Sequence, residues 1–259
     1  MNNLSNMLWV EGRKALRSNV PLFTGLGSMF APLGIAFLLF VSRNPEVSRK
    51  LGLISTKASI LADSAASWPT YFGMFIQLMA MGGMILAVLI LSWIFGREFT
   101  DGTVKDLLAV PVQRANIILA KFIVASVWFA LLAIVMYALG LGTGALIQLP
   151  DGSTSVLVDS SLRAATSACL AVAVMLPFAF LASLGRGYLL PIGVMILTLI
   201  AANLMVVIGY GEYFPWSIVA LFSQGKEALP AVSYLIVALT SLAGIAATYL
   251  WWKYADQNR

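Results

Sequence analysis

Histidine is missing from this 259-residue sequence, and cysteine occurs once. One thiol cannot close a disulfide within the chain, and without imidazole there can be no Cys/His zinc site or histidine proton relay. The single Cys169 falls in the apolar run 168–175, where a small residue packed inside the protein is the expectation. Charge is scarce as well. Only 10% of the residues are Asp, Glu, Lys or Arg, whereas a soluble domain carries about a quarter. Hydrophobic residues make up 60% of the chain and the mean hydropathy is +0.91. There is too little polar surface to coat a soluble globule, so lipid must replace water over much of the exterior. A phosphate-binding loop is also lacking. The pattern G-x-x-x-x-G-K-[ST] fails everywhere, including at Gly225-Lys226, where Glu227 follows. The chain is therefore not expected to hydrolyse ATP by itself. Nor do the first 20 residues read as a cleavable leader, because the apolar stretch after the charged start is too long. An uncleaved anchor is the expectation.

What is present is a series of apolar runs, each long enough to cross a hydrocarbon core of about 30 Å. They fall at 22–41, 68–95, 117–147, 164–184, 188–208 and 231–252. The fold expected is all-α and integral to the membrane, one domain of six spans. The 16 Lys and Arg outnumber the 11 Asp and Glu. This excess does not point to nucleic acid, because the cations sit in short segments between apolar runs, as orientation determinants do. With the N-terminus in the cytoplasm, ten of the 16 fall inside: Arg13, Lys14, Arg17, Arg97, Lys105, Arg114, Lys121, Arg186, Lys253 and Arg259. Six fall outside, four of them (Arg43, Arg49, Lys50 and Lys57) in or beside the 42–67 loop. The 148–162 loop has no Lys or Arg, as an outer loop should. Both termini are then expected in the cytoplasm.

The segments between spans differ in kind. In 1–18, Leu4, Met7, Leu8, Glu11 and Ala15 share one helical face, with Arg13, Lys14 and Arg17 off it. This reads as an amphipathic helix on the membrane surface, although Trp9 and Leu16 interrupt its polar side. A plain polar lead-in to the first span is the alternative. The 42–67 loop has some helical character. The segment 209–230 is too apolar for a free loop and too interrupted by Gly and Pro to span, so a re-entrant or interfacial segment held by packing on protein is expected.

Few polar residues lie within the spans. Gln77, Thr198 and Asn203 stand out. Each can serve as an interhelical hydrogen bond or line a polar passage, and Gly82 and Gly83 can line the same pathway or allow close packing. No lysine lies mid-span to activate a serine, which argues against an intramembrane hydrolase.

The most informative stretch is 95–121, FGREFTDGTVKDLLAVPVQRANIILAK. Gly96 and Gly102 are expected to loosen the backbone around Arg97 and Glu98. Thr100 or Asp101 can cap a short helix starting near Thr103, and Pro111 stops it. Leu107 and Leu108 form an apolar pair among charges, expected to be exposed and suited to a partner's groove, with Lys105, Asp106 and Arg114 at the rim. An elbow packed on its own bundle is the alternative. Glu98 is placed to pair with Arg13, Lys14 or Arg17.

The order Arg97-Glu98, Gly102-Thr103, Leu107-Leu108, Pro111, Arg114, Lys121 resembles the signature of bacterial type-2 ABC exporter permeases, and Glu11 followed by Arg13, Lys14 and Arg17 resembles their N-terminal helix. The likeness covers about 25 residues by motif and the whole chain by architecture. It implies a coupling helix at 101–111, a second permease copy or paralogue, and two separate ATPase subunits carrying ATP and Mg. It further implies export of a peptide antibiotic, a lipid-like or another amphipathic substrate, as in bacitracin or lantibiotic self-protection. A non-transporting scaffold or immunity protein that binds its ligand directly is the alternative.

Overall fold

A computed structural model describes residues 3–43, 67–225 and 228–254. The 44–66 part of the expected outer loop, Lys226 and the C-terminal Arg259 lie outside the described residues. In chain order the helices are α1 (Asn3–Leu16), α2 (Val20–Arg43), α3 (Trp68–Thr100), α4 (Val104–Ala109), α5 (Arg114–Leu146), α6 (Thr154–Met175), α7 (Pro177–Leu184), α8 (Leu189–Val207), α9 (Pro215–Gln224) and α10 (Ala231–Tyr254). Among the described residues there is no strand. Among the described residues six units are long and apolar enough to cross a membrane: α2, α3, α5, α6 continued by α7, α8 and α10. The all-helical, six-span expectation is therefore met.

Helix α3 is the mast of the bundle. Its 33 residues extend roughly 50 Å at 1.5 Å per residue, longer than a hydrocarbon core of about 30 Å. It touches α2, α5, α6, α7, α8 and α9, and apolar side chains from all round it are buried, as a central helix requires. At its start, the Ser67 N–H donates to Thr70 Oγ1 at 3.3 Å and Pro69 fills the first turn. Its end is closed by Gly102 in the left-handed region at φ 70°. The Thr103 N–H returns to the Glu98 carbonyl at 2.9 Å and the Gly102 N–H to that of Phe99 at 3.4 Å, the paired bonds of a Schellman stop.

The fourth span departs from the expected 164–184. It begins ten residues earlier, at Thr154, where the Ser153 hydroxyl accepts from the Val156 N–H at 3.4 Å. Hydropathy missed these turns because Ser155, Asp159, Ser161 and Arg163 are polar. They hold the helix through an i,i+4 Arg163–Asp159 pair at 2.8 Å. The same span breaks at Pro177, which cannot donate to the Ala173 carbonyl. That carbonyl accepts instead from the Leu176 N–H at 3.3 Å, and the Ser241 hydroxyl of α10 stands 2.9 Å from it. Gly244 lets α10 approach the Pro177 backbone, where a side chain would collide. A kink and its repair thus come from two distant segments.

The expected broken segment 209–230 is a 3-10 turn at Gly211–Tyr213 followed by α9, which Gly225 ends at φ 63°. Ser217, Ile218, Val219 and Ser223 are buried, and α9 packs on α3 and α6. Cys169 corrects an expectation. It sits on the exposed face of α6 rather than inside, because the inward positions of that helix are taken by Ala164, Ser167, Ala171 and Val174.

Candidate functional site

The C-terminal end of α3 gathers most of the residues singled out in the sequence. Helix α1 packs against α5 on the expected face: Met7, Glu11 and Ala15 are buried, with Leu4 and Leu8 half-buried beside them. That face therefore meets protein, while Arg13 and Arg17 are exposed.

Glu98 is 2% exposed and Lys121 fully buried, their Oε1 and Nζ 2.7 Å apart. Lys121 also donates to Glu11 Oε2 at 3.1 Å and to the Ile94 carbonyl at 2.9 Å, so all three ammonium protons have acceptors. Lys14 closes the ring, 2.9 Å from Glu11 and 3.2 Å from Glu98. Two carboxylates and two ammoniums thus cancel within one buried cluster that joins α1, α3 and α5. Within this cluster Glu98 Oε2 has no partner among the described residues. Isolated charges at such burial would be prohibitive; paired and hydrogen-bonded, they roughly balance their desolvation. Burial is the largest single influence on Lys14 and pulls its pKa down, but the charges and hydrogen bonds of Glu11 and Glu98 together outweigh it and leave the pKa raised. A raised lysine pKa means that this contribution is fully present at neutral pH and is lost only in strongly alkaline solution.

The ion pair expected between Glu98 and the N-terminal helix is present. Of the three surface-helix cations named, Lys14 does pair with it; Arg13 and Arg17 do not. The principal partner is Lys121, which the charge pattern alone left as a lysine near a span end. The signal was present: a lysine one turn inside an apolar span needs a carboxylate, and Glu98 closes the preceding span.

The short helix α4 is also seated differently. It covers 104–109, not 101–111, and no side chain caps it. Asp101 serves instead as the C-cap of α3, and the Thr100 hydroxyl bonds back to the Gly96 carbonyl at 3.1 Å. Leu107 is not exposed. It joins Val104 on the buried face and belongs to the core cluster of Ile94, Phe95 and Trp252. Leu108 is half-buried against that cluster, leaving Lys105, Asp106, Ala109, Val110 and Pro111 exposed. On one turn of helix, 104 and 107 share a face whereas 107 and 108 do not, so the adjacent pair divides between bundle and surface.

Arg114 is exposed beside α4 and is also tied to a distant helix end. Its guanidinium donates to the carbonyls of Trp252 at 2.6 Å and Lys253 at 3.1 Å, completing the last turn of α10 where carbonyls lack helical donors. Gly96 does not loosen its helix. It lies within α3, and a side chain there would press on the Gly187 backbone at 3.0 Å, so the glycine sets the approach of the 185–188 turn.

The residues considered for a pathway are not brought into one hydrogen-bonded set. Thr198 bonds to Val194 of its own helix at 2.7 Å, and Asn203 to Leu199 at 2.9 Å. Both are i−4 bonds rather than interhelical ones. Gly83 is buried against the Phe129 ring, where a Cβ would stand 3.3 Å away. Gly82 has open space beside it, and Gln77 is half-buried on α3.

Residues 7–203 match the ABC-2 family transporter protein family. A bacitracin transport permease protein of Bacillus licheniformis is 29% identical over 180 residues, covering 67% of this chain and 85% of that relative. The matched stretch runs from the start of the buried face of α1 through the Glu98–Lys121 pair and into α8, and the chain belongs to the ABC-2 transporter family as a multi-pass membrane permease.

Proposed function

We propose that this chain is the permease subunit of an ATP-driven exporter, with ATP and Mg bound on two separate ATPase subunits and with a second permease, a copy or a paralogue, completing the pathway. The α4 end and both termini face the cytoplasm in this reading, which the placement of ten of 16 cations supports. The substrate is a peptide antibiotic or another amphipathic molecule, a class supported by the name of the bacitracin permease relative.

One observation carries the mechanism. Helix α4 hangs between two helix ends that are both fixed to the bundle. On one side Glu98 ties α3 to α1 and α5; on the other Arg114 ties α5 to the end of α10. Closure of an ATPase dimer has to push on something rigid to reach the spans, and α4 is anchored so that a push on it moves α3, α5, α1 and α10 together. The face left for a partner is Leu108 and Val110, with Lys105 and Asp106 beside them and Thr103 at the helix start. Leu107, Gly102 and Pro111 shape that presentation. Gln77, Gly82, Thr198 and Asn203 are the polar or small residues retained for the pathway.

The test is Val110→Asp. Val110 is 44% exposed, so the variant should insert and melt like the parent. An apolar anchor in a partner's groove is typically worth about 2 kcal/mol or more, so co-purification of the ATPase should fall roughly thirtyfold. Normal ATPase capture and transport by this variant would remove α4 from the coupling path.

A further inference from the structure

Beside the buried cluster, α1 and the end of α3 border an open cavity of about 570 Å³. Arg13, Lys14, Arg17 and Arg97 all line it, against one acid, Asp101. Lys14 is committed to Glu11 and Glu98, and Arg97 lies 3.5 Å from Asp101. Among the described residues, Arg13 and Arg17 have no carboxylate within 4 Å. Arg13 lies instead 4.7 Å over the Trp9 ring, and Arg97 5.0 Å over Trp93. Two of the three guanidiniums are held over indoles, and the fork of Arg matches phosphate oxygens in pairs.

A second opening tells which phosphate. On the other flank of α1 a groove of about 480 Å³ runs along α5, walled by Leu8, Leu16, Val127 and Leu131. Trp93 lines the cationic cavity and Trp128 the groove, and their rings are 6.1 Å apart, so one indole pair stands between the two openings. A soluble phosphate leaves such a groove empty; an acyl chain fills it. Helix α3 outruns the hydrocarbon core, so its end reaches headgroup level, where Trp and Tyr such as Trp9, Trp93 and Tyr188 concentrate.

We propose that the cavity between α1 and the end of α3 binds the phosphate of an anionic phospholipid through Arg13, Arg17 and Arg97, with an acyl chain in the α1–α5 groove. The annular lipid would thereby become a component of the site that orients α1. The inference concerns binding by this chain alone and needs neither an ATPase nor transport.

The experiment titrates the detergent-solubilised full chain with phosphatidylglycerol brominated on its acyl chains and follows quenching of tryptophan fluorescence. Brominated phosphatidylcholine is the neutral control. Phosphatidylglycerol should quench at much lower mole fraction. Arg13→Ala with Arg17→Ala should weaken it about thirtyfold, the worth of two basic residues at an anionic headgroup. Lys105→Ala with Lys253→Ala removes the same charge elsewhere and should leave the titration unchanged. Equal quenching by the two lipids, or equal weakening by the two double variants, overturns the proposal. Displacement of the lipid by millimolar glycerol phosphate or inorganic phosphate assigns the cavity to a soluble anion and overturns the lipid reading. Both Arg13 and Arg17 are exposed, and an unchanged melting curve confirms that their double variant is folded.

Discussion

The two ends of α3 are held by opposite kinds of chemistry. At its start, Trp68, Tyr71, Phe72 and Phe75 stack on one another, with centroid separations of 5.1 Å for Trp68–Phe72 and 5.9 Å for Tyr71–Phe75. Gly140 and Gly144 of α5 leave room for these rings. The polar contact there is neutral: the Tyr71 hydroxyl lies 2.8 Å from the Gly140 carbonyl and 2.6 Å from the Thr143 hydroxyl. Some 27 residues on, roughly 40 Å along the helix, the same two helices are joined by Glu98 and Lys121 inside a four-charge cluster. Ring-into-glycine packing fixes distance through repulsion and tolerates small slides. A buried ion cluster fixes partners, since separating them exposes unpaired charge to low dielectric. The difference leaves the aromatic end able to slide and makes the charged end hold α1, α3 and α5 together as one unit.

The largest test of this contrast is Lys121→Met. It leaves two buried carboxylates with Lys14 alone, and loss of one partner of a buried pair costs about 3–5 kcal/mol. Folded yield and melting temperature in detergent should collapse. Adding Glu98→Gln should restore a measurable part, because the remaining Glu11–Lys14 pair is again neutral. A stable Lys121→Met protein would show that the cluster is not a unit. Next comes Gly140→Val, which drives a side chain into the Phe75 ring. Overpacking of this kind costs about 1–3 kcal/mol. Thermal unfolding should register it, and Phe75→Leu in the same chain should relieve it. If it destabilises no less than Lys121→Met, the ranking of the two ends is wrong. The smallest effect is expected from Tyr71→Phe. An interhelical hydrogen bond within a membrane is worth about 0.6 kcal/mol on average, and Gly140 keeps the Thr143 hydroxyl at 3.0 Å as a donor. This loss should add to that of Gly140-distant changes such as Glu98→Gln, since sites so far apart share no partner. Marked non-additivity in a double-mutant cycle would mean that α3 communicates between its ends.

Much of this was legible in residue order. Apolar runs gave the six spans because hydrocarbon thickness sets a length that a chain must meet. The face of Met7, Glu11 and Ala15 followed from helical periodicity, whereas Gly102, read as a loosening residue, proved to be the left-handed stop of α3. Polar turns at the start of α6 escaped because hydropathy measures lipid contact, not helix.

The sequence by itself determined that this chain lives in a membrane as an all-helical bundle, since its composition leaves no other solvent for its surface. It also supplied each charge of the site: Glu11, Lys14, Glu98 and Lys121. Only the tertiary structure decided that these four meet, that Leu107 turns inward while Val110 stays out, and that Arg114 serves the distant end of α10. Each of those outcomes depends on contacts between residues as many as 139 positions apart. Local periodicity says which face a side chain occupies; which neighbour covers that face depends on how the other helices pack.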